Sequence, residues 1–152
     1  MAQIANPKKA FNFNIFAAGL NPYAAQKVSI PDFEIEVVEH GDTNHDIKTA
    51  GKIKYGAITV EKLRPIGQGD NWIWHWIQSI QNVLSGGGLL PLQYKRTIDI
   101  VQYSTDNQTV TDLWECQGVW PSKVNGMELS RMSSDNILEV VELQVDRVIK
   151  RR

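Results

Sequence analysis

The sequence predicts a mainly β protein: an antiparallel β-sandwich or barrel-like domain carrying one flanking amphipathic helix at about residues 70–84. Three observations lead there. Hydrophobicity alternates with a period of two along most of the chain, which is the signature of strands with one buried face. Clusters of Asn, Asp, Ser, Gly and Pro punctuate those runs. A single segment, DNWIWHWIQSIQNVL from Asp70 to Leu84, has a helical period instead.

Phe11, Phe13 and Ile15 alternate with Asn12 and Asn14 and predict the first strand. The pattern repeats at Val28–Ile30, and again where Phe33, Ile35 and Val37 alternate with Asp32, Glu34 and Glu36. Ile53–Val60 is β-branched and aromatic enough for another strand. Tyr94–Tyr103 and Thr109–Val119 predict two more, separated by the turn-forming Ser104–Gln108. In Ile137–Ile149, the residues Ile137, Val141, Leu143, Val145 and Ile149 share one side, opposite Glu142, Gln144 and Asp146. The total is about six or seven strands.

In the helical segment, Trp72, Ile73, Trp76, Ile77, Ile80, Val83 and Leu84 fall at steps of one, three and four, the spacing of one helix face. Asp70 suits the N-cap, where a carboxylate accepts first-turn amides. Gly86 suits a left-handed exit. Three of the five tryptophans lie here, and wide indoles fill the gap between a helix and a sheet. A sugar platform or an interfacial membrane helix fits less well, because Gln78, Gln81 and Asn82 leave the polar side without lysine or arginine. Trp74 lies about 200° from Trp72 at ~100° per residue, away from the apolar face. Unable to reach its own core, it needs a partner, and a subunit interface is the expected one.

At 152 residues the chain is one domain, 1–152, with a short flexible N-terminus at 1–10. Sixteen basic and seventeen acidic residues give a net charge of −1, so no basic footprint argues for external nucleic-acid binding. One cysteine, Cys116, excludes an intramolecular disulfide and a cysteine-rich metal site. The opening MAQIANPKKAF does not resemble a signal peptide. No run approaches the ~18 apolar residues that span a bilayer, so no membrane insertion is expected.

Candidate chemistry fails position by position. Asp42, Asn44 and Asp46 have the spacing that opens a calcium loop, but Ile47 stands where glycine is required and Ile53 where a bidentate glutamate belongs. His40 and His45 lack a third zinc ligand nearby. His75 is placed for packing or an interface. Cys116 has no cationic neighbour to activate it. Gly86–Gly88 lacks the lysine and hydroxyl residue of a phosphate loop. No catalytic residue, cofactor or metal is therefore expected, and the protein is not predicted to be an enzyme. Charge distribution is more informative. Asp32–Ile47 holds six acidic residues and no basic one, whereas Lys48–Lys54 holds three lysines and no acid. A long polar connection of this kind, about residues 41–51, is expected to be an arm that finds its complement on a neighbouring molecule.

The order of these elements resembles the tail-tube proteins of contractile-tailed bacteriophages and of related phage-tail-like injection systems. FNFNIF is similar to that family's opening strand, and VSIPDFEIEVVEHGD to its second strand with its acidic loop. KIKYGAITVEK precedes the Trp-rich helix as in the family. KRTIDIV, WECQGVWPSKV and the closing Asn136–Glu142 complete a similarity over residues 11–149. The glycine-rich SGGGLLPL at 85–92 departs from the pattern.

The resemblance implies hexameric rings that stack into a hollow tube inside a sheath, with strands of six subunits lining a continuous lumen. Asp42, Asn44, His45, Asp46, Ile47 and Lys48 would then make inter-ring contacts. Glu34, Glu36, Glu142, Gln144 and Asp146 become candidates for the lumen wall. The implied partners are further copies of the chain, a sheath protein, tape-measure, baseplate and tail-terminator proteins, and phage DNA in transit. The implied location is the virion tail tube, assembled in the host bacterial cytoplasm. A tube subunit of an extracellular or type VI-like injection system is the alternative within this class. A monomeric ligand-binding β-barrel is the alternative outside it.

Overall fold

The computed structural model describes residues 10–17, 25–41, 44–63, 72–106, 108–125, 129–132, 134–135 and 137–152. Among these the elements are β1 (Phe13–Phe16), β2 (Ala25–Ser29), β3 (Phe33–Gly41), β4 (Asp46–Tyr55), β5 (Ile58–Leu63), α1 (Trp72–Ile80), α2 (Pro91–Tyr94), β6 (Arg96–Tyr103), β7 (Val110–Val124), β8 (Leu138–Gln144) and β9 (Arg147–Lys150). The mainly β, antiparallel architecture with a flanking helix is as the sequence predicts. The described residues divide into a seven-stranded sheet, ordered β1-β6-β7-β8-β5-β2 with β9 beside β7, and a separate two-stranded ribbon of β3 and β4.

Strand β7 is the spine. Its first part pairs with β6 and β9, and its last residues, Trp120–Val124, pair with β8. Between the two lies Gly118, at φ +69°. A side chain there would be strained by the backbone, and a Cβ would come within 2.2 Å of Asp146 Oδ2. This glycine lets the strand pass from one layer of the sandwich to the other. The core then collects from both layers: Ile15, Ile98, Ile100 and Cys116 from one, Ile58, Val60, Val141 and Leu143 from the other.

Helix α1 covers this core with Trp72, Ile73 and Trp76. Trp76 is 1% exposed, and its indole N–H donates to the Tyr94 carbonyl at 2.7 Å. The Arg96 guanidinium lies 4.6 Å from the Trp76 ring centroid, and the Trp72 ring 5.9 Å from it. The helix is shorter than its apolar pattern predicts. It stops at Ile80, and Val83 and Leu84 leave the core face for an exposed turn. The cause is local: Asn82 Oδ1 accepts from the amides of Leu84 and Ser85, holding a turn in place of another helical one. Gly86 is left-handed as expected, at φ +73°, but inside that turn rather than at a helix cap. The expected N-cap Asp70 lies outside the described residues.

Two predicted strands are in fact pairs. Ile53–Val60 breaks at Gly56, whose amide donates to the Asp32 carbonyl, so β4 and β5 are distinct. Ile137–Ile149 breaks at Asp146, whose amide donates to the Gln117 carbonyl, so β8 and β9 are distinct. Alternation along β5 and β8 buries Ile58 and Val60 opposite Leu143 and Val141. Continued one step further, it buries Lys62 opposite Glu139. The two lie 4.0 Å apart, and both side chains are fully enclosed.

Candidate functional site

The β3–β4 ribbon stands apart from the seven-stranded sheet. Every described residue in it is exposed except the half-buried Tyr55. Its register sets Phe33 opposite Tyr55, Ile35 opposite Ile53 and Val37 opposite Ala50. Opposed residues of an antiparallel pair share a face, so these six form one apolar stripe. Glu34 and Lys54 are opposed on the other face, where Glu36 also lies, with its carboxylate 4.0 Å from Lys54 Nζ. The strand containing Phe33, Ile35 and Val37 thus has the alternation expected of a half-buried strand, but among the described residues it stays exposed: Phe33 is 70% exposed and Val37 60%.

The arm expected at 41–51 is mostly strand. Pairing runs to Gly41 opposite Asp46, so Asp46, Ile47 and Lys48 belong to β4, and Asn44 and His45 form the bend at its tip. Asp42 lies outside the described residues. The acidic and lysine-rich runs also complement one another across the hairpin, as in Glu34 opposite Lys54 and Glu39 opposite Lys48. Part of that charge asymmetry is thus opposed within the ribbon.

The remaining candidates are scattered. Glu142 and Gln144 occupy the face of β8 opposite the core, with Gln144 donating to Ser122 Oγ at 3.2 Å. Asp146 sits at the β7 corner beside Gly118, and its Oδ2 accepts from Lys95 Nζ at 2.8 Å. Trp74 is 45% exposed on the outer side of α1, as its helical angle predicts.

Among the described residues, the titrating groups with shifted values fall at the β6–β7 turn and on the facing strands β6 and β7. The Ser104 hydroxyl and the Thr109 and Gln108 amides hold the Asp106 carboxyl well below the usual carboxylate range, which fixes the β6–β7 turn. Burial, then the Glu115 charge opposite it, raises Asp99. The side chains of Gln117 and Arg151 lower Glu115. Burial and then the Asp99 charge push the Cys116 thiol up to about 11, far from a reactive thiolate. Among the described residues no three His, Cys, Asp or Glu side chains converge on a metal position. None of the described helices is long and apolar enough to cross a membrane.

The family model of the T4-like virus tail tube protein gp19 matches residues 9–149. The chain belongs to this tail tube protein family. Tail tube protein gp19 of Enterobacteria phage T4 is 27% identical to this tail tube protein over 132 residues, covering 84% of the chain and 80% of the relative. The protein of Enterobacteria phage T6 matches over the same length at the same identity. The fold is shared with the tube-terminating cap of the anti-feeding prophage, at TM-score 0.80, 20% identity, 99% of this chain and 94% of that one. It is shared also with a chain of the sheath–tube complex of the PVC extracellular contractile injection system, at TM-score 0.75, 21% identity, 95% and 90% coverage. Hcp1 from Flavobacterium johnsoniae has the same fold at TM-score 0.58 and 11% identity, over 91% of this chain and 93% of Hcp1. These likenesses place the protein among the components of phage or phage-like particles.

Proposed function

We propose that this tail tube protein assembles into six-membered rings that stack as the inner tube of a contractile tail and conduct phage DNA, in a structural and not a catalytic role. The observation that carries the reading is the ribbon. A free two-stranded hairpin is marginally stable in water, yet β3 and β4 are nine and ten residues long and expose an apolar stripe along one face. Such a stripe needs cover, and copies of the same chain supply it in a tube. The ribbon tip, Asn44 to Lys48 with Asp42, is the element proposed to reach the adjacent ring, and Trp74 is proposed to lie at a subunit interface.

The ribbon face bearing Glu34 and Glu36, and the β8 face bearing Glu142 and Gln144, are proposed for the lumen, with Asp146 at their margin. A lumen rich in lysine would retain DNA through phosphate contacts; a neutral or acidic wall leaves it mobile. Sheath, tape-measure, baseplate and tail-terminator proteins are the partners such a tube requires, with assembly in the host bacterial cytoplasm. Sequence relatedness to phages T4 and T6 favours a phage tail over an injection system.

The purified chain should form rings or open-ended tubes by negative-stain imaging. A homogeneous monomer at tens of micromolar protein by light scattering refutes the proposal. Replacing His45-Asp46-Ile47-Lys48 by Gly and Ser should leave the domain folded and stop ring stacking. Reversing Glu34, Glu36 and Glu142 to lysine should impair delivery by assembled particles, and unchanged delivery removes these positions from the channel.

A further inference from the structure

From Trp72 to Tyr94 the chain contains no Asp, Glu, Lys or Arg. This segment projects a second apolar surface, distinct from the ribbon. Val83 is 92% exposed, Leu84 98%, Leu90 69% and Leu92 96%. Leucines in a loose loop would be unremarkable, but this loop is built. Asn82 Oδ1 accepts from the Leu84 amide at 2.9 Å, and the Asn82 amide donates to the Gly87 carbonyl at 2.7 Å. The Leu89 amide donates to Ser79 at the end of α1 at 2.9 Å. Gly88 approaches that end so closely that a Cβ would lie 1.9 Å from the Ile80 carbonyl oxygen. The turn is therefore held in one shape before any partner arrives, which removes most of the ordering cost of burying its tip.

The same chain carries a complementary hollow. Strands β1 and β2 end the strand path on opposite sides among the described residues. Between them lies an open groove of about 770 Å³, whose walls include Phe13, Val28, Ile30, Val101 and Trp114. Among the described residues on its lining, Lys27 is the charged one. A flat ribbon covers a surface, whereas a projecting turn fills a groove.

We infer that the Val83–Leu92 turn of one copy seats in the β1–β2 groove of the next copy, as the head-to-tail contact between subunits of the tube. The inference rests on the tube reading. Absence of charge selects the partner: permanent interfaces between copies resemble a divided core, whereas contacts that must release carry a polar surface. Two different patches, one on each side of the contact, give a heterologous interface that closes into a ring or runs on as a filament.

Two experiments test the seating on the full chain. Leu84→Asp combined with Leu92→Asp should keep wild-type circular dichroism, because neither side chain is buried in the monomer, and should reduce assembly at least tenfold by pelleting. Oxidising Leu84→Cys together with Gln26→Cys or Lys27→Cys, both on the groove lining, should give a reducible ladder of covalent oligomers, absent from the single variants. Buried Cys116 should not contribute. Wild-type yield of tubes from the Asp variant, or no ladder from assembled double-cysteine tubes, overturns the seating while leaving the tube reading intact. Normal tubes that fail only to recruit sheath overturn it too, by giving the turn to another protein. A wild-type chain that never assembles refutes both readings.

Discussion

Replacing Trp76 by alanine should separate the folding role of the tryptophan helix from its assembly role. Trp76 is fully buried against the core, so its removal takes away transfer energy and leaves a cavity, together ~3–5 kcal/mol. Its indole also donates to the Tyr94 carbonyl, which fixes the entry into β6. Losing that bond costs roughly 1 kcal/mol. The Arg96 guanidinium stacked on the ring adds about 0.5–1 kcal/mol. These contributions overlap, so a total of ~4–6 kcal/mol is expected from the largest ones taken together. That is a substantial part of the ~5–15 kcal/mol that holds a domain of ordinary stability. Trp74→Ala is the matched control: the same chemistry two residues away, on a side chain 45% exposed. It should cost under ~1 kcal/mol in the monomer, in the range of ordinary surface substitutions, and should weaken assembly instead. Urea unfolding followed by circular dichroism, under conditions that keep the chain monomeric, reads the first effect; pelleting reads the second. Equal losses of monomer stability in the two variants would refute the division of the helix into a core face and an interface face.

Two further predictions concern charges. Glu139→Gln should destabilise the monomer, since it replaces the enclosed carboxylate 4.0 Å from Lys62 Nζ by a neutral amide; urea unfolding with an unchanged midpoint would show that the pair does not contribute in solution. Asp106→Asn should lower stability near neutral pH. The folded Asp106 carboxyl sits below its ordinary value, so its contribution is full above the unfolded value near ~4 and is lost as pH falls through the folded one. The gap between variant and wild type should therefore close in acid, and a gap that widens there contradicts the turn's hydrogen bonding.

Periodicity made the fold legible where a strand's two faces meet different surroundings. Alternation puts Val141 and Leu143 on one face, which is buried, and helical spacing separates Trp72 and Trp76 from Trp74. The same alternation misleads at Phe33, Ile35 and Val37, because it reports that a face will be covered without saying by what. Boundaries were lost where one side chain or one backbone bond decides them: Asn82 ends the helical run early, and the Gly56 and Asp146 amides divide apparently continuous strands. The Lys62–Glu139 pair was within reach. Both residues are in phase with buried neighbours, but reading two charges as core requires knowing that β5 and β8 are partners in register. Charge runs were legible in part: the acid run and the lysine run lie opposite one another across the hairpin, as at Glu34 and Lys54.

The large exposed apolar side chains are therefore not overflow from an inadequate core. The core is closed: Ile15, Ile58, Val60, Ile73, Val119, Val141 and Leu143 are all fully enclosed. The surplus concentrates instead on the ribbon and on the turn after α1, which are separate elements of the chain. Isolated exposed apolar residues need no explanation, but concentrations on preformed elements mark contact surfaces. In the seating inferred above, the turn and the β1–β2 groove are unlike patches. Contacts between unlike patches repeat in one direction only. A tube built from them has two different ends, so a subunit arriving at one end meets the surface that the other end lacks.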